Sequence, residues 1–309
     1  MQEGYSPVKQ ANLKQGLIDR ALNIIANSVE MDFPQDTLRQ TALQIASGIP
    51  VILVSNHQSH VDVMPLAVIA NQVRRAANDY ISTGKYPRKK AFSHFLCPMA
   101  SSVVTGGQTQ DITAGYINTR DWLLKNGIVT VPVTRDRDIK YYGGQGLPPT
   151  IDSMRALLTA FKDGHGLAIT IAGTVEEGRR KKGGRSGKRI GLKKLSSKNL
   201  LTETVVRQHA AGINTLIVPI AISGTYLLFD PDERKVTLSS VRTLVRNLVP
   251  FSLTKATTVK VAQPIMTEEL WADAPEDEAD LHTFLNNRLL VIIASKLPPE
   301  ARGEFANMV

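Results

Sequence analysis

The chain has 309 residues, of which 42% are hydrophobic, 21% charged and 6% aromatic. This composition excludes a disordered, collagen-like or disulfide-stapled protein and allows a full hydrophobic core. The formal charge of +9, from 37 Lys+Arg against 28 Asp+Glu, excludes no class of partner until its position along the chain is known.

From the N-terminus, apolar residues at Leu13, Leu17, Ile18, Ala21, Leu22, Ile25 and Val29 fall on one helical face, and Phe33-Pro34 ends that helix. It is amphipathic and flanked by Lys9, Lys14 and Arg20. Packing on its own domain is the commoner use of such a helix, with a membrane-surface element as the alternative. A second helix is expected from Asp36, as N-cap, to Ala46, with Gly48 as its stop. After Pro50 short apolar runs alternate with helical ones. Strands are expected at Val51 to Val54, Ser102 to Thr105, Ile128 to Val133, Leu167 to Ile171, Thr215 to Ile222 and Val259 to Ala262. Helices are expected at Val61 to Asn71, Ile112 to Lys125, Ile151 to Lys162, Asn199 to Ala210 and Asp277 to Lys296.

Runs such as VILV and LIVPIAI are apolar without alternation, as strands covered by helices on both faces require. The pattern predicts an α/β fold with a helix-covered, mostly parallel (mixed) sheet and a small N-terminal helical segment. The expected division is 1–48 for that segment and 49–309 for the α/β domain. The longest uncharged window, Ala210 to Phe229, is broken by Gly212, Asn214, Pro219, Ser223 and Gly224 and reads as a strand plus loop, not a membrane span. The single cysteine, Cys97, excludes an intramolecular disulfide and supports a reducing compartment; its apolar neighbours mark it as a core residue. The first residues carry neither a secretory pattern nor a myristoylation glycine, since Gln2 stands there, so a cytoplasmic location is expected, with peripheral attachment at the inner face of the membrane as the accompanying reading.

The densest chemistry lies in VILVSNHQSHVDVMPL, residues 51–66. A buried strand runs into a loop holding Asn56, His57, Ser59, His60 and Asp62, and a helix starts near Asp62. Polar titratable groups at the carboxyl end of a buried strand are what open α/β sheets use as active sites. His57 is a candidate general base, and Asp62 reaches it if the chain turns back there. The competing reading makes Asp62 or Ser59 a helix cap and leaves both histidines in an exposed loop.

The pattern N-H-x4-D after a VILV strand resembles the first motif of the glycerol-3-phosphate and 1-acylglycerol-3-phosphate O-acyltransferase family. The resemblance implies that His57 removes the proton of an acceptor hydroxyl and that Asp62 orients and charge-stabilises it; His60 matches no family position. A later family block resembles E-G-T-R, and two registers stand open here. Ala172-Gly173-Thr174 keeps Gly-Thr but loses Glu, whereas Glu177-Gly178-Arg179-Arg180 keeps Glu, Gly and Arg but loses Thr. The second is preferred, because it puts Arg179 and Arg180 where the family holds the acceptor phosphate and a guanidinium pairs bidentately with phosphate. For the intermediate block, a strand ending in Arg, the sequence offers Ser102 to Gly106 or VPVTRDR with Arg135 and Arg137; Arg135 is favoured for its chemistry. The fourth block resembles V-P-I-A-I-S-G-T at 218–225, which implies that Pro219 helps line the acyl or acceptor pocket. VKVAQPI at 259–265 resembles the late strand.

The reaction so implied is direct acyl transfer to a phosphorylated glycerol acceptor, with acyl-CoA or acyl-carrier protein as co-substrate and no resident metal or cofactor. Ten cations (Arg179, Arg180, Lys181, Lys182, Arg185, Lys188, Arg189, Lys193, Lys194 and Lys198) crowd into 178–202 without an acid, and removing them leaves the rest of the chain at −1. That run has no interleaved aromatics and no nucleic-acid fold motif, which weighs against nucleic acid. Substrate phosphates, an acidic carrier protein or an anionic membrane surface account for it better. Its counterweight is the acidic stretch from Glu268 to Asp280. A different acceptor, such as another lysolipid or an alcohol, or a nonenzymatic anionic-lipid or RNA-binding α/β protein, is the alternative reading.

Overall fold

The computed structural model describes residues 20, 23, 29–57, 62–100, 120–133, 155, 157, 159, 163–171, 191–195, 198–224 and 257–309. Among these, the strands are β1 (Glu30–Asp32), β2 (Val51–Ser55), β3 (Phe95–Ala100), β4 (Ile128–Val133), β5 (Gly166–Thr170), β6 (Leu216–Ser223), β7 (Thr258–Val261) and β8 (Ile265–Met266). The helices are α1 (Gln35–Ala46), α2 (Val63–Ser82), α3 (Leu200–Ala210), α4 (Thr267–Leu270) and α5 (Glu278–Lys296). They form an α/β fold on one mixed, largely parallel sheet in the order β1-β7-β6-β2-β5-β3-β4, with β8 added to β6. Only β7 and β8 run antiparallel to their neighbour β6.

The central strands explain their composition. All of β2 is buried, with Val51 and Leu53 in the core under α1 and α2 and Ile52 and Val54 in the core under α3 and α5. Side chains alternate across a strand, so two helix layers require apolar residues at every position. Helix α2 buries Met64, Leu66, Ile69, Val73, Ala77 and Ile81 against the first face, and α3 buries Leu201 and Val205 against the second.

Several boundaries differ from the sequence expectation. Helix α1 starts at Gln35 after Pro34, so Asp36 is a first-turn residue, not the N-cap; its carboxylate still suits the positive helix end. Gly48 does stop that helix, at φ +89°, a conformation that favours glycine. Glu30–Asp32 is extended and pairs with β7, more than 220 residues away in sequence. Helix α2 runs on from Asn71 to Ser82, because Val73, Ala77 and Ile81 continue the buried stripe through a polar stretch. The expected strand at Ser102 to Thr105 lies outside the described residues; β3, the segment FLCPMA, is a strand the sequence pattern did not predict. Pro98 argues against a strand there, but pairing with β5 covers only Phe95 and Leu96, so the ladder to β5 ends before the missing N–H. Cys97 is buried in β3, and burial pushes its thiol up to about 12, consistent with a core residue.

The two chain segments on either side of residue 48 share one core, with Val29, Ala42 and Ile45 in the same cluster as Val51 and Leu53. Asn23, helical and exposed, accepts from the Trp122 indole N–H at 2.8 Å, so the N-terminal segment contacts the domain at that point. In the described C-terminal part of the basic run, Leu192 O accepts from Glu304 N at 2.9 Å and the Glu304 carboxylate accepts from Lys194 N at 2.9 Å. Lys198, the last cation of the run, reaches Glu203 at 2.7 Å and Glu278 of the acidic stretch at 3.1 Å.

Candidate active site

The chain leaves β2 through α2 on one face of the sheet and leaves β5 toward α3 on the other. Strands β2 and β5 are adjacent and parallel, so their carboxyl ends flank a topological switch point, where open α/β sheets form their ligand crevice. His57 lies two residues past the end of β2, at that point.

Its Nδ1 is 3.0 Å from Asp62 Oδ2. The His57 side chain is 17% exposed and that of Asp62 is fully buried. Asp62 occupies the N-cap position of α2 yet makes no side-chain cap hydrogen bond; its carboxylate is turned to His57 instead. Of the two readings of Asp62, helix cap or partner of the histidine, the geometry gives the second. A carboxylate that accepts Nδ1–H places the basic lone pair on Nε2 and stabilises the imidazolium that forms when Nε2 takes a proton. The positive end of a 20-residue helix supports the buried charge of Asp62.

Two further contacts fix the strand end that carries His57, and both come from residues whose role the sequence reading left unassigned. Asn56 is fully buried, its Nδ2 donates to Ile222 O at 2.8 Å and its Oδ1 accepts from Ile222 N at 2.7 Å. The side chain thus imitates one more rung between β2 and β6, and joins the first and fourth blocks of the resemblance. On the other side Ser55 O accepts from Ile171 N at 2.8 Å, which holds the end of β5 to the end of β2. A buried Asn directly before the histidine was the available signal for the first contact; nothing local signals the second.

Pro219 is buried in β6, opposite Val54, and its carbonyl accepts from Ala262 N at 2.9 Å. Arg135, Glu177, Gly178, Arg179 and Arg180 lie outside the described residues, as do Ser59 and His60. The strands preceding the two blocks are described: β4 ends three strands from β2, whereas β5 ends beside it. Among the described residues no group of three or more His, Cys, Asp or Glu side chains is arranged to hold a metal ion. No helix among them is long and apolar enough to cross a membrane.

A buried His–Asp pair at the switch point of an α/β sheet is a potential catalytic centre of the general-base class. Its H-x4-D spacing is consistent with the motif of the acyltransferases that the sequence resembles. No family model matches the chain. A search of curated proteins finds no match either.

Proposed function

We propose that the protein is an O-acyltransferase that moves a fatty acyl group from the thioester of acyl-CoA or acyl-carrier protein to the hydroxyl of glycerol-3-phosphate or 1-acylglycerol-3-phosphate, a step of phospholipid synthesis. The observation that carries this reading is the 3.0 Å contact of His57 Nδ1 with a fully buried Asp62 at the carboxyl end of β2. His57 Nε2 takes the proton of the acceptor hydroxyl as its oxygen attacks the thioester carbon. Backbone N–H groups near the start of α2 stabilise the oxyanion of the tetrahedral intermediate. That intermediate collapses with cleavage of the C–S bond, and the imidazolium returns its proton to the leaving thiolate.

The acceptor phosphate falls to Arg179 and Arg180, with Glu177 and Gly178 shaping that block and Arg135 as a further cation. The position of β5 beside β2 supports the first two, because the chain runs from β5 toward that block at the switch point. Pro219 belongs to the wall of the acyl or acceptor pocket. The cations of 179–198 suit the phosphates of the acceptor and CoA, an acidic carrier protein or an anionic membrane surface, and the protein works in the cytoplasm or against the inner face of the membrane.

The test is acyl transfer by purified wild type and His57→Ala to glycerol-3-phosphate and to its 1-acyl derivative, with each donor. The expected result is transfer by wild type and a fall of about 10²- to 10⁴-fold in the variant. Unchanged activity in His57→Ala would sink the mechanism. Vesicle or RNA binding without transfer to any acceptor would favour the nonenzymatic reading.

A further inference from the structure

Helix α3 opens with a cap that holds more than a cap requires. Asn199 is its N-cap, its Oδ1 accepts from Thr202 N at 3.0 Å, and the Thr202 hydroxyl accepts from Asn199 N at 3.2 Å. Ser or Asp would satisfy the helix about as well, since capping needs only an acceptor. Asn199 also spends both amide hydrogens: Nδ2 donates to Ile171 O at 3.1 Å and to Asn286 Oδ1, on α5, at 2.7 Å. Asn286 is fully buried, and one turn away His282, 2% exposed, lies with Nδ1 2.8 Å from the Thr202 hydroxyl. Two successive turns of α5 therefore lock the capping box, and the capping box holds Ile171.

Ile171 is the residue at which the chain leaves β5. Its carbonyl is taken by Asn199 and its N–H by Ser55 O, the last residue of β2. The end of β2 is thus clamped on both flanks, by Asn56 against Ile222 and by Asn199 through Ile171, and His57 emerges directly from that clamp. From this chain of contacts we infer that Asn199, oriented by Asn286, is a positioning residue that sets the spacing of the β2 and β5 ends and thereby the aim of His57. The inference rests on the acyl-transfer reading for its activity readout and on the geometry alone for its spectroscopic one.

Asn199→Ser keeps the capping acceptor and removes the amide that reaches Ile171 O and Asn286 Oδ1. Its expected behaviour is a melting temperature close to wild type, a kcat for acyl transfer lower by about 10- to 100-fold and a KM for the thioester donor that changes little. Asn286→Ala, which leaves the cap intact, is expected to show the same split between kcat and KM and serves if Asn199→Ser does not fold. The imidazole ¹⁵N signals of His57 are expected to shift in both variants. Wild-type kcat and unshifted His57 signals in a folded variant would overturn the inference. If wild type itself transfers no acyl group, the acyl-transfer reading fails, and the His57 signals alone then decide on positioning.

Discussion

The two edges of the sheet each carry histidines, and they treat them in opposite ways. At the carboxyl edge His57 Nδ1 faces a buried carboxylate, which would compensate the positive charge of the ring if Nε2 gained a proton. At the amino edge His94 precedes β3 and His165 precedes β5, and the rings stack on each other with centroids 4.2 Å apart and planes at 19°. Ser93 Oγ lies 3.0 Å from His165 Nδ1, and among the described residues neither ring is paired with a carboxylate. Burial, then the neighbouring His165, then Arg74 hold the His94 imidazole below its ordinary value of 6.5. The difference separates a histidine that the proposed reaction would use as its base from one held by packing in an environment that disfavours its charged form. The residue type is the same, and the neighbouring charge decides the use.

The largest effect is expected from removing the carboxylate beside His57. Asp62→Asn keeps the shape of the pair but supplies no charge for the imidazolium. Acyl transfer is expected to fall by about 10³- to 10⁴-fold in kcat/KM, with little change in the far-ultraviolet circular dichroism. An activity within a few-fold of wild type would put the two edges on the same footing.

Next in size is a packing effect at the amino edge. A Cβ at Gly166 would stand 2.3 Å from Phe95 Cδ1 and 3.1 Å from Phe92 Cζ, and the Phe95 ring is fully buried. Gly166→Ala is expected to cost about 1–3 kcal/mol in urea denaturation while leaving the kcat of the folded fraction near wild type. A parallel loss of kcat would mean that the two edges are coupled.

The smallest effect is expected at His94. Between its lowered native value and 6.5 the folded protein binds less proton at His94 than the unfolded chain does, so stability falls as the pH drops through that window. His94→Gln is expected to flatten part of the decline in the urea midpoint as the pH falls below 6.5, at a cost of about 1 kcal/mol or less at neutral pH from the lost stack. An unchanged slope would remove His94 from the account.

Much of the fold was legible because its elements are written in local periodicity. The strands at 128–133 and 216–223, the helices at 200–210 and 278–296 and the stop at Gly48 all follow from apolar spacing and punctuation. What escaped depended on distant partners. Strand β1 has charged ends and no pattern of its own, and exists because β7 offers it a ladder. Strand β3 contains a proline that only the short reach of the β5 ladder excuses. In the candidate site His57 and Asp62 stand out through their crowding after a buried strand. Asn199 does not, since capping explains it locally and its second task is visible only once β5 and α5 are in place.

Hydrophobic periodicity and residue chemistry act over a few residues, and they suffice for the α/β class, the doubly buried central strands and the His57 and Asp62 candidates. The tertiary structure alone decided that β5 slots in beside β2, that the chain leaves these two strands toward opposite faces, and that Asp62 turns to His57 rather than capping its helix. Those choices depend on which surfaces bury each other across long stretches of chain, and no local pattern records them.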